Sequence, residues 1–117
     1  MNSEGQRTVL LMTRADERHA DGTVTTHSPF AVGSEGSSGY AGFWDEQVAF
    51  YFKARLGLEP QYMPMPIESI PIDRLRHQRH IYLIRGKSQV DRLLRPSIDQ
   101  ATAMANLLPI DQFPKQR

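Results

Sequence analysis

Apolar residues are unevenly distributed along the chain. The first forty positions hold one β-like run, Thr8-Val9-Leu10-Leu11-Met12-Thr13, and then a long polar stretch. That stretch ends in Gly33-Ser34-Glu35-Gly36-Ser37-Ser38-Gly39, the composition of a flexible linker. From Phe43 the texture changes. Trp44, Val48, Tyr51, Phe52 and Leu56 recur at helical spacing, with Asp45 and Glu46 early and Lys53 and Arg55 late. This charge order complements the helix dipole, and Gly57 marks the predicted C-terminal stop.

Pro60, Pro64, Pro66 and Pro71 follow within a short span. No helix runs through that spacing, and the missing N–H groups discourage a central strand. The stretch reads as an extended connector that lays Met63 and Met65 onto a surface. Over Asp73 to Leu94, the positions Leu75, Leu83, Val90 and Leu94 share a helical face, which predicts a helix weakened near Gly86. His80-Ile81-Tyr82-Leu83-Ile84 also has the composition of a short strand, and that alternative stays open. A last helix is expected after the Ser97 N-cap, with Gln100 completing a capping box and Pro109 ending it.

These elements predict a mainly α fold. Residues 1–40 form an extended, partly irregular N-terminal arm, and residues 41–117 form a small helical domain with a Pro-rich connector. With 117 residues there is room for one small domain and a modest core. Cysteine is absent, which removes disulfides, thiolate nucleophiles and cysteine-based metal sites and fits a reducing compartment. No apolar run approaches the roughly 18–20 residues that span a bilayer. The N-terminus lacks the apolar core of a signal peptide.

Charge alters this picture most. Between Arg74 and Arg95 stand Arg74, Arg76, Arg79, Arg85, Lys87, Arg92 and Arg95, against the single acid Asp91. A local charge of about +6 is thus hidden in a net charge of +1. Such a segment meets phosphate, a lipid surface or an acidic protein. His77 and His80 have a spacing seen in zinc sites, but the surrounding arginines repel a cation. His19 and His27 lie in the polar N-terminal region without a nucleophile motif, and no Gly-x-Ser-x-Gly, His-Glu-x-x-His or Walker pattern occurs. No catalytic, cofactor-binding or metal-binding residue is assigned, and the chain reads as non-catalytic.

From Phe43 onward the order of elements resembles subunit 7, the 14 kDa matrix-side subunit, of the mitochondrial cytochrome bc1 complex. The matching residues are Phe52-Lys53-Ala54-Arg55-Leu56-Gly57-Leu58, Arg92-Leu93-Leu94-Arg95, and Leu107-Leu108-Pro109-Ile110-Asp111-Gln112-Phe113-Pro114-Lys115. The chain departs from the family at Glu59-Pro60-Gln61, where an acidic pair is usual, and in its first forty residues. The resemblance implies a mostly helical, non-catalytic accessory subunit of respiratory complex III. It would sit peripherally on the matrix side of the mitochondrial inner membrane, beside cytochrome b and the core subunits. In that setting Trp44, Phe52 and Leu56 are expected to dock as an apolar anchor. The seven basic residues would meet anionic phospholipid headgroups or acidic neighbours. The alternative is an RNA- or ribosome-associated protein using the same basic segment, 74–95.

Overall fold

The computed structural model describes residues 8–16, 26–34, 37–93 and 106–113. Along them run β1 (Leu10–Asp16), β2 (Thr26–Pro29), β3 (Ala31–Ser34), β4 (Ser37–Phe43), α1 (Glu46–Leu56), β5 (Tyr62–Pro66), β6 (His80–Ile84), α2 (Lys87–Leu93) and β7 (Leu107–Pro109). Single-turn 3-10 helices occupy Ile67–Ser69, Ile72–Leu75 and Ile110–Gln112. All seven strands belong to one sheet. The fold is therefore mixed α/β, which corrects the mainly α, all-helical expectation and the helical character implied by the resemblance. Of the helix expected after Ser97, residues up to 105 lie outside the described residues, and its expected end at Leu107–Pro109 is instead strand β7.

Two corrections have clear physical causes. The segment expected as one basic helix is a 3-10 helix, a strand and then α2. Ile81, Tyr82, Leu83 and Ile84 of β6 are all buried, because both faces of this strand are covered. A strand covered on both faces loses period-two alternation and reads as a continuous apolar run. The expected N-terminal arm supplies β1, β2, β3 and most of β4. Val9, Leu11 and Met12 are fully buried, and β1 is paired along both edges. The described residues of the Gly/Ser-rich stretch, 33–34 and 37–39, likewise lie in the β3–β4 pairing, which reaches Ser34↔Ser37.

The sheet forks. Antiparallel β1 and β4 lie side by side only at Leu10↔Phe43 and Leu11↔Gly42. Past that point β2 pairs with β1 (Thr13↔Pro29 to Asp16↔Thr26), and β3 pairs with β4 (Ala31↔Tyr40 to Ser34↔Ser37). Because all three pairings are antiparallel, β2 and β3 run in opposite directions, each on a different branch. Phe30 marks the tip of the fork. Its N–H donates to the Met12 carbonyl at 2.7 Å, and its carbonyl accepts from the Ala41 N–H at 2.8 Å.

On the other edge of β4, β6 runs parallel from Tyr40↔Ile81 to Phe43↔Ile84, and β7 closes antiparallel outside it. Gly39 permits the close approach of β4 to β6: a Cβ there would stand 2.7 Å from the His80 carbonyl oxygen. At the opposite edge, β5 pairs with β1. Bonds from Ala15 N–H to Gln61 and from Ile67 N–H to Val9 set the ladder phase, so residues 62, 64 and 66 face outward. Tyr62 gives its N–H to Glu59, and Pro64 and Pro66 have none. This edge thus offers no free N–H to an incoming strand.

Side chains alternate into two cores. Leu11, Tyr40, Ile81 and Leu83 face a layer made by the 3-10 helices, with Ile67, Ile70, Leu75, Ile110 and Phe113. Met12, Ala41, Phe43, Tyr82 and Ile84 face the α-helices, against Val48, Ala49, Phe52 and Val90. The expected aromatic helix is present as α1. Asp45 caps it by accepting the Gln47 N–H at 2.8 Å. Gly57 ends it at φ 63°, with its own N–H and that of Leu58 returning to Ala54 and Lys53. Among the described residues no helix is long and apolar enough to cross a membrane.

Candidate functional site

The basic residues do not share one face. Arg74 lies within the 3-10 helix Ile72–Leu75, and Arg76 and Arg79 follow it before β6. Arg85, Lys87 and Arg92 lie beyond the other end of β6. At about 3.3 Å rise per residue, Arg79 and Arg85 are separated by roughly 20 Å of extended chain. Arg95 lies outside the described residues.

The second group builds a cavity. Arg85, Ser88, Gln89, Arg92 and Asn106 border a space of about 380 Å³ whose inner wall includes Tyr82. Gln89 fixes the turn that carries Arg85. Its side-chain oxygen accepts the Arg85 N–H and its amide donates to the Leu83 carbonyl, both at 2.8 Å. Because Gln89 is three residues past Gly86, this resembles one half of a capping box, displaced by one residue. Tyr82 is 1% exposed. Burial pushes its hydroxyl pKa up, and the hydrogen bond to Asn106 acts in the opposite sense.

The one acid of the basic segment faces elsewhere. Asp91 accepts from the Tyr51 hydroxyl at 2.8 Å and from Arg55 Nε at 3.2 Å, both on α1. Lys87 places its ammonium 5.5 Å from the centre of the Tyr51 ring. Successive helical residues point about 100° apart, so Asp91 and Arg92 present their charges to different surroundings. Among the described residues, the cavity has two guanidinium groups and no carboxylate on its wall.

Of the expected apolar anchor, one residue is internal. Phe52 is fully buried, with ring contacts at 5.2 Å to Phe43 and 5.8 Å to Phe30. Leu56 packs in the same core. Trp44 lies 5.7 Å from the Phe113 ring, against the other core. Phe52 is thus a core residue rather than a docking residue, while Trp44 and Leu56 are half-buried against the two cores. His77 and His80 are not on a helix: His77 is in the loop after the 3-10 helix, and His80 opens β6. Among the described residues no group of three or more potential metal ligands occurs.

Sequence reasoning found Arg85 and Arg92 but missed Ser88, Gln89 and Asn106, which reach the cavity from α2 and the approach to β7. Only Gln89 carried a usable signal, its position relative to Gly86. Comparison with known proteins finds no matching family model, curated protein or solved structure. The comparisons therefore give no family support for a place in the respiratory chain or the mitochondrion.

Proposed function

We propose that this chain is a non-catalytic binding component that recognises a small phosphate-bearing group, such as a phospholipid headgroup, through the cavity of Arg85 and Arg92. The observation that carries this reading is a cavity wall with two guanidinium groups and, among the described residues, no carboxylate, while Asp91 is held by α1. Guanidinium groups offer forked donors suited to phosphate oxygens, and Ser88, Gln89 and Asn106 add polar side chains. The cavity volume falls within the usual range for small-ligand pockets.

RNA is a weaker fit. Binding of single-stranded nucleic acid without base pairing relies on exposed aromatic platforms. Tyr82 is buried and Tyr51 is engaged by Asp91 and Lys87. The test is binding of the full chain to vesicles of phosphatidylinositol phosphate in phosphatidylcholine and to a short RNA, each with an Arg85→Glu/Arg92→Glu variant. Vesicle binding lost in the variant supports the reading. Binding of RNA alone, or vesicle binding unchanged by the substitutions, overturns it.

A further inference from the structure

The fork in the sheet holds a second cleft, on the opposite side of β6 from the first. Its walls are β2, with His27 and Ser28, and the start of β3 with Tyr40 behind it. Arg74, His77 and Gln78 cover it, enclosing a space of about 250 Å³. The cleft exists because β2 and β3 diverge from the Phe30 tip instead of pairing with each other. By ladder alternation, the N–H groups of His27 and Ala31 point away from β1 and β4, into the fork.

The covering segment is held in place. The Tyr40 hydroxyl donates to the Arg74 carbonyl at 3.2 Å and accepts the His77 N–H at 3.1 Å. Ser38 Oγ donates to Gln78 Oε1 at 2.9 Å, which leaves the Gln78 amide protons for another acceptor. The titratable and charged groups on the wall are His27 from β2, Tyr40 from β4, and Arg74 and His77 from the covering segment. Among the described residues none is a carboxylate, and Arg74 makes no ion pair. The cleft is thus rich in donors, preorganised and positive.

We propose that this fork cleft binds phosphate, free or as a small monoester, with Arg74, His27 and His77 as its principal ligands. Its volume lies below the usual range for drug-sized ligands, which suits one tetrahedral oxyanion with a small substituent. Arg74 supplies permanent charge. The His27 imidazole from β2 and the His77 imidazole from the covering segment add ring N–H donors. This site is separate from the Arg85 and Arg92 cavity and does not depend on that proposal.

The test is calorimetric titration of the full chain with inorganic phosphate and with methyl phosphate, supported by the melting-temperature rise that each ligand causes. The His27→Gln/His77→Gln variant and, separately, Arg74→Met should each weaken binding by about tenfold or more, the effect of losing a charge-assisted contact. Phosphate binding that is lost in Arg85→Glu/Arg92→Glu but kept in both fork variants belongs to the other cavity and overturns the fork site. Because His77 and Arg74 are exposed, their substitution leaves the core intact, and an unchanged ligand-free melting temperature verifies this. Tighter binding of methyl phosphate identifies a monoester as the preferred ligand, and equal binding identifies the free ion. No saturable binding, or binding that survives both fork variants, overturns the site.

Discussion

Tyr51 and Asp91, forty positions apart, are joined by a 2.8 Å hydrogen bond from the phenol to the carboxylate. With Arg55 on the same carboxylate oxygen at 3.2 Å, this bond ties α1 to α2. It also engages the only acid of the basic segment, and among the described residues no carboxylate lines the cavity of Arg92. The bond raises the Tyr51 pKa, with smaller contributions from burial and from the Asp91 charge, while Arg55 acts the other way. In Asp91→Ala, one tyrosine should ionise at lower pH than in the parent chain, and the melting temperature should fall. Ultraviolet absorbance of tyrosinate during alkaline titration reads the first effect; an unshifted titration would contradict the contact.

Phe52 predicts a larger loss. Phe52→Ala removes a fully buried ring from the helix-side core and should cost about 3–5 kcal/mol. That approaches the whole stability of many small domains. Chemical denaturation should show a cooperative transition at much lower denaturant, or none. A loss below about 1 kcal/mol, typical of surface positions, would restore Phe52 as a docking residue.

Gly39 and Gly86 should respond in opposite ways. A methyl group at Gly39 meets the His80 carbonyl at 2.7 Å and the Tyr82 nitrogen at 3.0 Å, so Gly39→Ala must push β4 and β6 apart. Overpacking of this kind costs about 1–3 kcal/mol. At Gly86 nothing lies within 4 Å and φ is not positive, so Gly86→Ala should be neutral or stabilising by up to about 1 kcal/mol. Equilibrium denaturation of the two variants provides the comparison.

Alkaline pH should weaken the fold. Burial pushes the Tyr40 hydroxyl above the usual tyrosine value of about 10, while backbone hydrogen bonds from His77 and Gln78 pull it down. Burial likewise raises Tyr82. Both groups stay protonated in the folded chain at a pH where the unfolded chain has begun to ionise. Their contribution is intact below about pH 10 and is lost as pH rises above it. The denaturation midpoint should fall across that window, and Tyr82→Phe should flatten the decline.

The edge strand β5 makes a prediction about association. Pro64→Ala/Pro66→Ala restores two outward N–H groups beside exposed Met63. The variant should show concentration-dependent self-association by light scattering where the parent does not, because an open edge invites pairing. Equal scattering from both proteins would show that the prolines do not guard this edge.

The sequence by itself determined the local punctuation. Asp45 and Gly57 bound α1 because capping and a left-handed φ are properties of one or two residues. The Thr8–Thr13 run overlaps β1 from Leu10 to Thr13, and the prolines keep β5 at an edge for the reason read from their missing N–H groups. Only the tertiary structure decided that Ile81 to Ile84 is a strand, because burial on both faces removes the alternation that distinguishes strand from helix. It also decided that the N-terminal residues form the sheet interior, since β1 has three partners distant in sequence. The charge cluster was legible as a composition, but its division was not. Arg74 stands with His27 across the fork and Arg92 stands with Asn106, because β6 carries the chain from one side of the sheet to the other. Local chemistry follows from neighbours in the chain; which charges share a cavity follows from strand pairing, which no local pattern encodes.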